Sequence, residues 1–296
     1  MSETIIKVDD VSKSFDEGGI LDGLSLEIED DELTLLMGPN GAGKTVLLAC
    51  LAGGLNPTDG SIRVFGQSPK EARSYMSFMI QGGLALPYLN GYENISFYEG
   101  LHPSATEDWR EIVDMMDLTE DLDRPVRDYS GGMKQKLELS IALSTDVPLY
   151  LLDEPTSELD MTTIDQLHSL LQDELEREKA VVMTSHTPRD VDIADRIVFV
   201  NHGGVVASGK PTELRDNVPS VVRIVGGRDS DNQQISEFVR NGRLFESGQD
   251  RRGFLRDDAD VEQVRSAIDT QRAEVTVERT SHEDMFNYYT RIHAAE

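Results

Sequence analysis

A single cysteine, Cys50, is the only thiol the chain offers, which excludes an internal disulfide and with it the disulfide-stapled secreted folds. Cys50 lies in the apolar run Val46-Leu47-Leu48-Ala49-Cys50-Leu51, so a packing role in a reducing compartment is expected. Long apolar stretches are missing too. The longest are of the Val147–Leu152 kind, far short of the ~20 residues that span a bilayer. The opening Met1-Ser2-Glu3-Thr4 has no basic region followed by an apolar one, so no secretory signal is expected. A soluble, cytoplasmic protein follows, with any membrane connection made through a partner. Lysine is scarce as well: 8 lysines and 20 arginines face 55 acids, for a formal net charge of −27. No basic stripe is visible, which argues against nucleic acid as a partner, because such binding must replace counterions along phosphates.

What is present is acid. A charge this large exceeds the magnitude of ~2–8 typical of a small domain. Molar salt shortens the Debye length to ~3 Å and suppresses the self-repulsion, so the composition resembles that of proteins from halophiles. With 296 residues and 38% apolar content the chain can bury a proper core in one large domain with a small appendage.

Short β-branched or apolar runs alternate with helical patterns over the first two-thirds. Strands are predicted at Thr4–Val8, Ser25–Glu29, Leu33–Met37, Ser61–Phe65, Tyr75–Gln81, Leu149–Asp153, Ala180–Ser185, Arg196–Asn201 and Gly204–Ser208, several bounded by Gly or Asp turns. A helix over Ser104–Leu118 would place Trp109, Ile112, Val113 and Met116 on one face, with Ser104 and Glu107 at capping-box spacing. Thr163–Lys179 carries a second stripe of Ile164, Leu167, Leu171 and Leu175; His168 beside it reads as surface or packing. The character changes near Leu214–Pro219. Residues 218–296 contain no lysine and read as strand Ser220–Val225, helix Gln233–Asn241, strand Arg252–Arg256, helix Asp260–Gln271, strand Glu274–Thr280 and helix Ser281–Arg291. The expected division is therefore 1–217 for the main domain and 218–296 for a small C-terminal α+β domain.

Three segments carry chemistry. Gly38-Pro39-Asn40-Gly41-Ala42-Gly43-Lys44-Thr45 fits G-x-x-x-x-G-K-[ST], with a strand leading in and a helix leading out. Glycines let successive N–H groups face one phosphate, and the helix N-terminus adds its positive end. Lys44 is expected to bridge the β- and γ-phosphates and the Thr45 hydroxyl to ligate Mg²⁺. Downstream, the apolar run Val147–Leu152 ends in Asp153-Glu154. Asp153 would give Mg²⁺ a second anchor, and Glu154 would polarise an attacking water. The third segment, Asp128-Tyr129-Ser130-Gly131-Gly132-Met133-Lys134-Gln135, opens another helix (Met133–Leu143) and makes a second anion-binding end. One nucleotide does not need two such ends from one chain. Two chains arranged head to tail would supply each ATP with Lys44 from one and Ser130 from the other.

In this order the segments resemble the ABC ATPase family, over about residues 4–215. The resemblance implies an α/β P-loop NTPase fold of ABC type, a RecA-like core with antiparallel β and helical subdomains. It implies ATP and Mg²⁺ as ligands, with Gly38–Thr45 and Val46 as Walker A, Asp153 and Glu154 closing Walker B, and Ser130, Gly131 and Gly132 in the signature. It further implies Gln81 as the Q-loop residue that couples Mg²⁺ and water to a partner subunit, and His186 as the switch histidine on the γ-phosphate. Ser157-Glu158-Leu159-Asp160 resembles the D-loop, with Asp160 communicating across the dimer, and Phe15 takes the place of the adenine-stacking aromatic. Val46, Met133 and Glu158 depart from the usual Ser or Thr, Gln and Gly. None is a Mg²⁺ ligand or the base, so an active ATPase is expected.

Two readings of such a family member remain. Two copies, as a homodimer or with a paralogue, drive a separately encoded membrane permease from the cytoplasmic face; or the chain is a soluble ATPase acting in protein or iron–sulfur assembly. Gly82–Asn94 resembles the family's permease-receiving stretch, which favours transport. Thr280-Ser281-His282-Glu283-Asp284-Met285-Phe286 resembles the S-L-E-D-x-F ending of drug, heme and polysaccharide exporters, which favours export over import.

Overall fold

The computed structural model describes residues 3–16, 18–226, 234–248, 250–267 and 273–293. Its residues form two compact units, Met1–Ser208 and Gly209–Glu296.

In the first unit a long hairpin, β1 (Thr4–Phe15) and β2 (Gly18–Glu29), joins β4 (Asp59–Val64) in an antiparallel sheet of order β2-β1-β4. Both hairpin strands run beyond the spans expected for them, for one reason. Val8 and Val11 are both buried, as are Leu21 and Leu24, a spacing of three that breaks period-2 alternation. Register shifts fall between Val8 and Val11, where Asp10 adopts φ 50°. A bulge resets which face the side chains take.

The second sheet has the order β5-β6-β7-β3-β8-β9, from β3 (Leu33–Met37), β5 (Met76–Met79), β6 (Leu149–Leu152), β7 (Ala180–Thr184), β8 (Arg196–Asn201) and β9 (Gly204–Gly209). From β5 to β8 its pairs are parallel. Every residue of β3, β6 and β7 is buried, as continuous apolar strands covered on both faces must be. Cys50 sits fully buried in the core on α1 (Lys44–Leu51).

A third body packs α2 (Gly91–Glu99), α3 (Trp109–Met115) and α4 (Gly131–Leu143) around Ile95, Trp109, Val113, Leu122 and Leu137. Helix α2 was not expected from the sequence, although Asn90 and Glu93 form a complete capping box at its start. The reverse holds for Ser104, where the expected box does not form. Thr106 gives both its N–H and its hydroxyl to Ser144 O, and Asp146 N–H bonds Ser104 O. These contacts hold 104–106 as a loop, and α3 starts later, with Trp109 buried and its Nε1 donating to Glu99 at 2.9 Å. Helix α5 (Met161–Glu176) buries the expected Ile164, Leu167 and Leu171, and also His168.

The second unit opens with α6 (Pro211–Asp216), ahead of the expected boundary at 217/218. Leu214 is buried there and its carbonyl accepts the Tyr289 hydroxyl at 2.9 Å. Strands β10 (Val221–Gly226), β11 (Phe245–Ser247), β12 (Asp250–Phe254) and β13 (Ala273–Glu278) form an antiparallel sheet of order β11-β12-β10-β13. This is the order of a β-α-β-β-α-β unit. The short β11 has no counterpart among the expected elements. Gln233 of the expected Gln233–Asn241 helix lies outside the described residues, and 236–241 do not form that helix, since Val239 bridges Leu255 and Arg240–Gly242 is a 3-10 turn. The end of Asp260–Gln271 also lies outside the described residues, and α7 covers Val261–Ser266. Helix α8 (His282–Asn287) begins at Ser281, whose hydroxyl accepts Asp284 N–H while Asp284 accepts Ser281 N–H.

Candidate active site

After Met37 the chain turns through Gly38–Gly43 into α1. Gly43 takes φ 101°, and a Cβ there would lie 2.7 Å from Leu21 Cδ2 and 3.1 Å from Ile20 O, so only glycine fits. It is the N-cap of α1 and supplies no side-chain cap, leaving the first N–H groups of the helix for an anion. Lys44 is buried and its Nζ donates to Gly38 O at 2.8 Å and Pro39 O at 3.2 Å. Burial lowers its pKa, against the pull of Glu154 and Asp153 in the other direction.

The next residue, Thr45, donates its hydroxyl to Asp153 Oδ1 at 3.2 Å. Asp153 stands just past β6, 1% exposed, and also accepts the Thr184 hydroxyl at 2.7 Å. The same Thr184 oxygen accepts Glu154 N–H at 2.8 Å. One hydroxyl at the end of β7 therefore sets both acidic residues. Glu154 itself has φ 49°, a left-handed backbone that costs a non-glycine residue ~1–2 kcal/mol. Its carboxylate meets His186 Nε2 at 2.9 Å through Oε1 and accepts Gln81 Nε2 at 3.3 Å through Oε2. Burial, helped by Lys44, lowers the His186 pKa, although Glu154 pulls it up. The shift favours the uncharged form of the ring that faces Glu154.

Asn40–Val46, Gln81, Glu154 and His186 line one open cleft of about 500 Å³, together with Ile20. Ile20, a lone apolar residue on β2, carried no signal in the sequence. Gly38 and Pro39 contribute their carbonyls to Lys44. The Thr45 hydroxyl, the Asp153 carboxylate and the Gln81 amide oxygen are hard oxygen donors of the kind Mg²⁺ takes. That donor set fits the cation.

The remaining expected residues stand elsewhere. Ser130 caps α4, its hydroxyl accepting Met133 N–H at 3.2 Å, with Gly131 and Gly132 in the first turn. A Cβ on Gly131 would lie 2.5 Å from the movable Glu158 Oε2, but one on Gly132 would lie 2.8 Å from the backbone Glu158 O, so the start of α4 and the 157–160 loop touch where Gly132 cannot be replaced freely. Asp160 caps α5 through Thr163 N–H at 2.9 Å, and those bonds hold its carboxyl below the usual range. Phe15 ends β1 about half exposed, with the Lys13 ammonium 4.9 Å from its ring centre. None of these lines the cleft. Gln135 of the signature helix donates to Glu154 O at 3.0 Å and Pro155 O at 2.9 Å, tying α4 to the turn that carries the acid.

A family model described as ABC transporter matches residues 21–157. The chain is 33% identical over 258 residues to the sulfate/thiosulfate import ATP-binding protein CysA 2 of Agrobacterium fabrum, covering 81% of this chain and 73% of that one. It belongs to the ABC transporter ATP-binding family. The daunorubicin resistance ATP-binding protein DrrA3 of Streptomyces coeruleorubidus is 32% identical over 240 residues, 76% of each chain, so relatives named for import and for drug resistance both lie at this distance. Among solved structures, the dimeric ATP-binding cassette MJ0796 in a post-hydrolysis state with ADP and Pi aligns with TM-score 0.64 at 24% identity, over 70% of this chain and 98% of that one. A structure of an ATP-binding subunit of an ABC transporter aligns with TM-score 0.66 at 22% identity, over 72% and 92%. The ABC cassette fold is thereby established. Among the described residues no helix is long and apolar enough to cross a membrane.

Proposed function

We propose that this ABC cassette hydrolyses Mg²⁺–ATP at the interface of a head-to-tail dimer and drives a separately encoded membrane permease from the cytoplasmic side, in the direction of export. The observation that carries the reading is the meeting of His186 and Gln81 on Glu154 in the cleft that Lys44 and Thr45 also line, with the Thr45 hydroxyl held by the adjacent Asp153. In it, the α1 N-terminus and Lys44 would hold the β- and γ-phosphates, and Thr45, Asp153 and Gln81 would hold Mg²⁺, which when bound would supply neutralisation of phosphate charge. Glu154 orients the attacking water and draws its proton, while neutral His186 donates toward the γ-phosphate. Ser130 and its glycines cap a helix outside this cleft, which supports their serving a partner's nucleotide.

Docking to a permease is supported by exposed apolar side chains after Gln81, with Tyr88 83% and Leu101 65% exposed. Export is supported by the Ser281–Asp284 box in the exporter-like tail and by relatives named for drug resistance and for fluoroquinolone export. The acid excess supports work at high ionic strength. The test is co-purification of Glu154→Gln from solubilised membranes of a host grown at molar salt. A stoichiometric polytopic membrane protein is expected. Recovery of soluble partners alone, with no sedimentation on membranes, would overturn transport.

A further inference from the structure

Between Gln81 and α2 the chain has no helix or strand, so the placement of Gln81 depends on side chains that grip this loop. Tyr98 donates its hydroxyl to Leu84 O at 2.6 Å, and Asn94 both accepts Leu86 N–H at 2.7 Å and donates to Leu86 O at 3.1 Å. These come from α2. The third grip comes from α4. Leu84 N–H and Ala85 N–H both donate to Oε1 of Glu138, at 3.1 and 3.0 Å. Glu138 is 1% exposed, and its Oε2 is buried and makes no hydrogen bond. Burial pushes its carboxyl up, against the loop N–H groups and Lys134 one turn earlier; the Tyr98 hydroxyl is the other titratable neighbour.

A buried carboxylate in a helix that packs apolar neighbours is costly, and a helix interior has no need of one. Here its acceptor oxygen takes two N–H groups that would otherwise be orphaned beside the core. Because both bonds converge on one oxygen and the other has no partner, the loop needs an acceptor at this point, and the charge is incidental.

We propose that Glu138 is a positioning residue for ATP hydrolysis, holding Gln81 in the cleft by pinning the 82–85 loop to α4. This rests on the reading of Gln81 as a ligand of the hydrolytic site. Helix α4 also begins with Ser130-Gly131-Gly132, so the helix that offers the signature turn to a partner's nucleotide also sets Gln81 in its own cleft. Movement of one then moves the other.

Steady-state ATP hydrolysis and binding of a fluorescent ATP analogue, on the full chain, test this. Wild type, Gln81→Ala, Glu138→Leu, Glu138→Gln and the double variant Gln81→Ala/Glu138→Leu are compared. Glu138→Leu is expected to lower kcat about ten- to a hundredfold, as a misplacement of ~1 Å can, with analogue affinity unchanged within about threefold. In the Gln81→Ala background it adds no further loss, because the two act through one contact. Glu138→Gln keeps the acceptor and holds kcat within about threefold of wild type. Should Glu138→Leu fail to fold, Glu138→Asp, one methylene short of the loop, takes its place with the same expectation. The proposal falls if kcat is unmoved by Glu138→Leu while Gln81→Ala lowers it. It falls equally if the two losses multiply, or if Glu138→Gln is as damaging as Glu138→Leu. A wild type without ATPase activity would instead remove the reading of the cleft itself, and the inference with it.

Discussion

Asp190 lies just beyond the His186 segment, fully buried, and its removal has a size that the structure sets. Oδ1 takes His168 Nε2 at 2.7 Å, and Oδ2 takes the Thr156 hydroxyl at 2.7 Å and the Ser185 hydroxyl as well. Ser185 Oγ in turn accepts Thr187 N–H at 2.8 Å. The residues flanking His186 are thus tied to α5 through His168 and to the turn after Glu154 through Thr156. Asp190→Ala orphans three donors at once and opens a small cavity. Removing one member of a buried pair costs about 3–5 kcal/mol. At 2–4 °C per kcal/mol for a unit of this size, the unfolding midpoint of the first unit should fall by about 6–20 °C.

The assay is thermal unfolding followed by calorimetry or circular dichroism, with His168→Leu and the double variant His168→Leu/Asp190→Leu beside it. The double variant removes the His168 donor together with its acceptor but leaves the Thr156 and Ser185 hydroxyls without Asp190, so it should recover only the His168 share of the loss. The coupling should be on the order of 1–3 kcal/mol. A fall below about 2 °C in Asp190→Ala, or strictly additive losses in the pair, would refute the account of Asp190 as the shared acceptor.

Gly43→Ala should weaken ATP binding by about a hundredfold, or ~2.8 kcal/mol, because the new Cβ meets Leu21 and Ile20 and tilts the start of α1; unchanged affinity in titration calorimetry would show that the helix end is not the cradle. His186 should titrate below the ordinary imidazole value of 6.5, a midpoint that proton NMR of the ring reads directly. Its native state then binds protons less tightly than the unfolded chain, so its contribution to stability rises with pH between the native midpoint and 6.5 and is level above that. A midpoint above 6.5 would mean that Glu154 outweighs burial. In the second unit, Arg252 grips buried Asp284 in a fork of 2.8 and 2.7 Å and Glu278 at 2.6 Å. Arg252→Lys cannot reproduce the fork and should lower that unit's unfolding midpoint, which calorimetry reads; an unchanged midpoint would show that the fork contributes nothing.

What the sequence made legible follows from what is local. The buried strands Leu33–Met37 and Ala180–Thr184 are read directly from their apolar runs, and the glycines and charged residues of the cleft from motifs with short spacing. The limits of β1 and β2 were not legible, because a bulge at Asp10 changes the alternation without changing composition. Ser104 shows the opposite failure. Its capping-box pattern is real, but tertiary bonds from Thr106 to Ser144 win over a local cap worth ~1 kcal/mol. Thr184, Gln135, Glu138 and Asp190 were missed for a related reason. Each acts by reaching a partner far along the chain, and a lone Thr, Gln, Glu or Asp has no signature for that.

The pairing of the cleft's own polar groups explains how a site so rich in charge stays ordered. Buried polar groups must be satisfied, and here they satisfy one another: Lys44 on Gly38 and Pro39, Thr45 on Asp153, Gln81 and His186 on Glu154. On the proposed function, binding Mg²⁺–ATP would be an exchange of partners, phosphate oxygens for carbonyls at Lys44 and a shared cation for the direct Thr45–Asp153 bond. Each exchange is nearly neutral in number of hydrogen bonds, so affinity must come from charge: the α1 end, Lys44 and Mg²⁺ against the phosphates. Glu154 differs from the rest. Its left-handed backbone is held by Thr184 and Gln135, which are not part of the exchange, so on the proposed function Glu154 would keep its place while its two side-chain partners turned to the nucleotide. A carboxylate fixed by its backbone and released by its neighbours is free to take up a water, which is what hydrolysis of the γ-phosphate asks of it.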